Sequence, residues 1–136
     1  MISRRTFLNG LATTTLIGGS FPAFAKSRGD AGALKMLDTD HDGTVDLDEA
    51  KKAASALFDK LDRDHDGTLD KREVGRRLSA KEFAAADPDH DGTLSKDEYL
   101  AVVEQRFKAA NPDNDGTLDE KELSSKAGRN LLRLLQ

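Results

Sequence analysis

One twelve-residue window occurs four times in this chain, and that repeat limits the possible folds more than any other feature. DTDHDGTVDLDE (38–49), DRDHDGTLDKRE (62–73), DPDHDGTLSKDE (87–98) and NPDNDGTLDEKE (111–122) begin 24, 25 and 24 residues apart. Of the 25 acidic residues, 21 fall inside these windows, most of them at matching offsets around a glycine. A solvated face has no use for such regularity, whereas a cation does. Short acids at places 1, 3 and 5 can wrap a positive ion from one side, and a long glutamate at place 12 can close the sphere with both oxygens. The glycines at place 6 (Gly43, Gly67, Gly92 and Gly116) permit a turn that a Cβ would oppose.

The spacing matches the EF-hand loop, with oxygen ligands at places 1, 3, 5, 7, 9 and 12. Loop 1 then offers Asp38, Asp40, Asp42, the carbonyl of Thr44, Asp46 and Glu49. Loop 2 offers Asp62, Asp64, Asp66, Thr68, Asp70 and Glu73, and loop 3 offers Asp87, Asp89, Asp91, Thr93, Ser95 and Glu98. Loop 4 offers Asn111, Asp113, Asp115, Thr117, Asp119 and Glu122. Loops 1 and 2 thus carry five carboxylates each; Ser95 and Asn111 reduce loops 3 and 4 to four. Crowded anions favour a higher ionic charge. Dehydration opposes it, since that cost rises as the square of the charge, roughly 9:4 for a trivalent against a divalent ion. Attraction to each carboxylate rises only about 3:2. Selectivity for a trivalent ion therefore needs many anionic ligands. The count admits a trivalent ion and does not exclude Ca²⁺; Mg²⁺ is too small for a bidentate glutamate and seven or more oxygens.

Only twelve or thirteen residues separate successive loops, so one helix must leave one loop and enter the next. Residues 50–61 (AKKAASALFDKL) contain no helix breaker and align Ala54, Leu57, Phe58 and Leu61; residues 99–110 (YLAVVEQRFKAA) align Leu100, Val103 and Phe107. Loops at opposite ends of a helix about 20 Å long cannot touch. Residues 74–86 (VGRRLSAKEFAAA) differ, because they contain Gly75 and a capping box from Ser79 to Glu82. The chain can fold back there. The expected fold is all-α, four EF-hand loops joined by short shared helices in a compact helical bundle, with loop 2 pairing with loop 3 and loop 1 with loop 4. Val45, Leu69, Leu94 and Leu118, at place 8, are expected to bridge the paired loops. The leucines of residues 130–135 (NLLRLL) are expected to form the last core helix, the alternative being an exposed partner-binding helix.

Residues 1–25 read as a twin-arginine signal peptide: Ser3-Arg4-Arg5-Thr6-Phe7-Leu8, a mildly apolar run, and an A-x-A cleavage site at Ala23-Phe24-Ala25. The expected mature chain, 26–136, is a single domain in the periplasm with no membrane contact after cleavage. Removing Arg4 and Arg5 shifts the formal charge from −4 to −6, which argues against nucleic acid and anionic membranes as partners. Without cysteine there is no disulfide framework, thiolate site or cysteine nucleophile. Outside the loops only Asp30, Asp59, Glu82 and Glu104 are acidic, and no catalytic constellation emerges; the chain reads as a binder rather than an enzyme.

The sequence resembles lanmodulin, the exported lanthanide-binding EF-hand family of methylotrophic bacteria. The likeness rests on four closely spaced loops, Pro88 and Pro112 at place 2, Asp46, Asp70 and Asp119 at place 9, and FKAANPDNDGT at 107–117. It implies binding of lanthanide(III) ions far more tightly than Ca²⁺, and a loosely ordered metal-free state that compacts on loading. It also implies an ion destined for uptake, through a periplasmic receptor, or for a lanthanide-dependent dehydrogenase. Thr39 and Arg63 stand where that family commonly has proline, and Ser95 replaces an aspartate. His41, His65 and His90 share place 4, either as exposed loop residues or as triggers of release in acid. The rival readings are a Ca²⁺ sensor, weakened by the scarcity of methionine (Met1 and Met36 only), and a structural Ca²⁺ protein.

Overall fold

A computed structural model describes residues 32–136; the twin-arginine segment and the boundary at Lys26 lie outside the described residues. Helix α1 (32–37) leads into loop 1. There follow β1 (Val45–Asp46), α2 (Leu47–Leu61), β2 (Thr68–Leu69), α3 (Lys71–Val74), a 3₁₀ turn (Gly75–Arg77), α4 (Ala80–Ala86), β3 (Leu94–Ser95), α5 (Lys96–Ala110), β4 (Thr117–Leu118), α6 (Glu120–Ser124) and α7 (Lys126–Leu132). Each two-residue strand is the place 7–8 or 8–9 segment of a loop.

The strands pair as helix length demands. Helices α2 and α5 are 15 residues each, about 22 Å long at the α-helical rise, and hold the loops at their two ends apart. β2 pairs antiparallel with β3, Leu69 opposite Leu94, and β1 with β4, Val45 opposite Leu118. All four place-8 side chains are fully buried. Since β1 and β3 precede their long helices while β2 and β4 follow theirs, α2 and α5 run antiparallel. Lys96 reaches Asp59 at 3.0 Å and Lys51 reaches Glu104 at 3.1 Å across the pair. These exposed ion pairs fix register more than they add stability.

The reversal between loops 2 and 3 falls where the sequence places it. Gly75 has φ +61°, a left-handed conformation that ends α3. Ser79 then caps α4. Its hydroxyl accepts from the Glu82 N–H at 3.2 Å, and the Glu82 carboxylate accepts from the Ser79 N–H at 2.8 Å.

The core departs from expectation on α5. Tyr99, not Leu100, is fully buried, and Leu100 only packs against the cluster's edge. On α2, Leu57 is likewise half-buried, while Ala50, Ala54 and Phe58 form the inward stripe. A tyrosine can replace a leucine here because its hydroxyl finds a partner. Tyr99 meets Phe58 edge-on with ring centres 5.8 Å apart, and its hydroxyl donates to the Leu134 carbonyl at 2.9 Å. Burial pushes the Tyr99 phenol up to about 12, against the opposing charges of Arg77 and Arg106, so it remains a donor at any physiological pH.

That bond is one of three holding the C-terminal stretch. Arg106 donates to the Asn130 carbonyl at 2.5 Å, and Arg77 to the Gln136 carbonyl at 3.0 Å. Leu131, Leu132, Leu134 and Leu135 are all buried, so this segment is core and not an exposed docking helix. Gly128 lets α7 lie against α6, since a Cβ there would run into the carbonyls of Glu122 and Leu123. Gly128→Ala should therefore destabilise the metal-saturated chain by about 1–3 kcal/mol, despite alanine's better helix propensity. A thermal melt at or above that of the parent would contradict the packing.

Candidate metal centre

Three loops each bring three of their acids together. Carboxylate oxygens of Asp38, Asp40 and Glu49 lie within 4.8 Å of one another, as do those of Asp62, Asp64 and Asp66, and those of Asp87, Asp89 and Glu98. Such trios suit a hard cation that takes oxygen ligands. Loop 4 brings no such trio together among the described residues.

Main-chain N–H groups hold the anions in place. Asp38 accepts from the Asp42 and Gly43 N–H groups at 3.1 and 2.9 Å. Asp62 does the same with Asp66 and Gly67 at 3.1 and 2.9 Å, and Asp87 with Asp91 and Gly92 at 3.2 and 2.9 Å. Asn111 receives neither bond: it is 5% exposed and its side-chain oxygen has no partner. An amide offers one acceptor oxygen where a carboxylate offers two. An orphaned buried oxygen at place 1 fits a site whose missing partner is a cation.

Three further side-chain roles emerge that ligand spacing alone does not show. Thr44, Thr68, Thr93 and Thr117 each donate both N–H and hydroxyl to the place-5 aspartate, at 2.8–3.1 Å. The recurrence of threonine at place 7 was the available signal. The place-9 residues Asp46, Asp70, Ser95 and Asp119 cap the exiting helices, each accepting from the N–H of the place-12 glutamate. In return, each glutamate's Oε2 accepts from the place-9 N–H, at 2.7–3.1 Å. Place 4 is left-handed in every loop, with φ of 62°, 57°, 56° and 55° at His41, His65, His90 and Asn114. Histidine and asparagine are among the few side chains that tolerate this region. The shared histidines are thus explained by backbone conformation, and all three are exposed.

The second oxygen of the place-12 glutamate separates the loops. Glu49 Oε1 accepts from the Thr39 N–H at 2.6 Å, the Thr39 hydroxyl at 2.9 Å and the Asp40 N–H at 3.4 Å. Glu73 Oε1 accepts from the Arg63 N–H at 3.1 Å. In loops 3 and 4, place 2 is Pro88 and Pro112, which have no N–H to give.

The acids titrate against one another. Asp40, Asp64 and Asp89, all at place 3, are raised above the ordinary aspartate range. For Asp40 the Asp42 N–H pulls down, but burial and the Asp38, Asp42 and Glu49 carboxylates prevail. Burial dominates for Asp64 and the Asp87 side chain for Asp89. Asp38 and Asp87 are lowered: burial pushes each up, and hydrogen bonds from the loop N–H groups and the place-3 carboxyl outweigh it. Glu49 is lowered despite burial, through the N–H groups of Asp46 and Thr39. Glu122 is raised by burial and by the charges of Asp113, Asp119 and Asp115.

The EF hand family model matches the chain at residues 30–52, 55–79 and 80–103, together more than half its length. The chain belongs to the EF-hand family. The three matched segments contain loops 1, 2 and 3; loop 4 repeats their spacing and backbone conformation beyond them. No curated protein matches the sequence significantly. As an EF-hand protein, the chain is a metal binder, and the acidic clusters of loops 1–3 support that binding.

A carboxyl with a raised folded pKa stabilises the fold only while protonated. That contribution is present below the ordinary aspartate pKa and lost as pH rises through the raised value. In the metal-free chain, carboxyl-detected NMR should therefore find Asp40 and Asp89 titrating at higher pH than Asp38 and Asp87; the reverse order would contradict these directions. For loop 4, Asn111→Asp should restore the acceptor for the Gly116 N–H and tighten that site about tenfold for a trivalent ion. The gain for Ca²⁺ should be smaller, as attraction scales with ionic charge. Equal gains, read from the Gly116 amide during titration, would refute the charge argument.

Proposed function

We propose that this chain is an exported protein that selectively binds trivalent lanthanide ions through its four loops. It buffers or carries them, and completion of the fold is coupled to loading. The observation that carries the reading is the crowding of anions: three carboxylate oxygens within 4.8 Å in each of loops 1–3, with place 3 forced towards protonation in all three. Five carboxylates around a divalent ion leave a site at −3; around a trivalent ion they leave −2. Relief of ligand–ligand repulsion therefore favours the higher charge where enough ligands offset dehydration. The resemblance to lanmodulin in loop spacing, in Pro88 and Pro112, and in Asp46, Asp70 and Asp119 supports the same choice.

The chain's own groups supply the mechanism. Place-1 and place-12 carboxylates are positioned by backbone donors, place-5 carboxylates by threonines, and the helix caps place the glutamates at the loop exits. Loading removes the repulsion among 18 ligand carboxylates, which lets the paired loops close and α2 and α5 pack around Phe58 and Tyr99. Export to the periplasm rests on the pattern at residues 1–25. No helix among the described residues is long and apolar enough to cross a membrane. The resemblance supports a periplasmic receptor or a lanthanide-dependent dehydrogenase as recipient. Nothing in the loops calls for catalysis, since each acid is accounted for by its place.

A Ca²⁺ role is favoured by one observation: loops 3 and 4 substitute neutral Ser95 and Asn111 for a carboxylate, an anion count common in Ca²⁺ loops. Titrating the metal-free mature chain with La³⁺ and with Ca²⁺, followed by circular dichroism, separates the two. La³⁺ should complete the helical signal at about a hundredfold or more lower free concentration, a gap near 2.7 kcal/mol. Coincident midpoints would reject lanthanide selectivity and leave the Ca²⁺ role.

A further inference from the structure

The loops differ in two ways, and the differences run in opposite directions. Loops 1 and 2 carry five ligand carboxylates, but a place-2 N–H engages their closing glutamate. Loops 3 and 4 carry four, but Pro88 and Pro112 leave the corresponding Glu98 and Glu122 oxygen without that donor. A cation that takes both oxygens of a closing glutamate must compete with the bonds they already make; the Oε2 bond to the place-9 N–H is common to all four loops, so the loops differ at Oε1. Glu49 Oε1 faces three donors, two of them from Thr39, and has two lone pairs to share among them.

We propose that the place-2 residue is a latch on the closing glutamate, and that proline there compensates for the carboxylate missing from loops 3 and 4. This rests on the loops being cation sites, but not on which cation they prefer. A bond from N–H or hydroxyl to a carboxylate stabilises the metal-free loop, and the cation must displace it. Latching therefore weakens binding, while the fifth carboxylate strengthens it. The strand pairing joins one loop of each kind: latched loop 1 with unlatched loop 4, and latched loop 2 with unlatched loop 3. Each pair thus contains two sites of more even affinity than their carboxylate counts imply. Thr39 is the strongest latch, since it gives two bonds where Arg63 gives one.

The test exchanges the latches in the full chain. Thr39→Pro removes both bonds, and Thr39→Val removes the hydroxyl bond while keeping the backbone and side-chain shape. Pro88→Thr installs a latch in loop 3. Filling of individual loops is read from the amides of Gly43 and Gly92 during La³⁺ and, separately, Ca²⁺ titrations. Release of Glu49 in the metal-free state is read from its carboxyl carbon shift. Thr39→Pro should tighten loop 1 about tenfold or more, Thr39→Val severalfold, and Pro88→Thr should weaken loop 3 by a similar factor. These changes should appear with both ions, because the latch competes with any cation. They would therefore survive a finding that La³⁺ and Ca²⁺ bind equally. Circular dichroism of the saturated variants establishes that each folds. A Thr39→Pro chain that binds at loop 1 no more tightly than the parent would overturn the latch. An unmoved Glu49 carboxyl shift in Thr39→Pro would overturn it as well.

Discussion

Repulsion among converging carboxylates is the constraint on which the rest of this structure depends. Loops 1, 2 and 3 each bring three acids around one small volume, drawn from places 1, 3, 5 and 12. The backbone counters part of that repulsion with N–H groups, which is why glycine at place 6 and a left-handed residue at place 4 recur. Without those turns the amides would not face the place-1 carboxylate. The remaining imbalance is what a cation removes. The fold beyond the loops is then set by short reach: two strand residues per loop, two long helices as spacers, and a reversal at Gly75 and Ser79.

Within that frame the four loops are variations on one design. Asn111 leaves loop 4 with an orphaned oxygen and without a carboxylate trio. Ser95 in loop 3 keeps the helix cap that an aspartate provides elsewhere, but not its charge. Proline at place 2 acts on the far end of the loop, by withholding a donor from the closing glutamate. Ligand count, capping and latching therefore vary separately, and the pairing of loops 1 with 4 and 2 with 3 places unlike loops side by side.

Much of this was legible in the residues. The repeat marked the acids that converge in loops 1–3, and the distance between loops set the pairing, because a helix of that length cannot bend its ends together. The Ser79–Glu82 capping box marked the reversal. Other features were not legible, for physical reasons. Periodicity aligns Leu100 with Val103 and Phe107, but cannot know that a buried acceptor at Leu134 makes Tyr99 the better core residue. The hold of Arg77 and Arg106 on the C-terminal carbonyls spans 59 and 24 residues and has no local signature. The left-handed φ at place 4, which accounts for the residue type of the three histidines, likewise appears only in three dimensions. A proline at place 2 suggests stiffness; that it also removes a donor from a residue ten positions away appears only in three dimensions.

On the proposed coupling of folding to loading, loop occupancy and core formation are one event. Amide hydrogen exchange on the mature chain, with and without bound metal, addresses it most directly. While the loops keep their local hydrogen bonds, the amides of α2 and α5, together with the four bridging strands, should exchange many-fold faster when metal is absent. On saturation they should become protected together. Full protection of α2 and α5 in the metal-free chain, unchanged by loading, would contradict it.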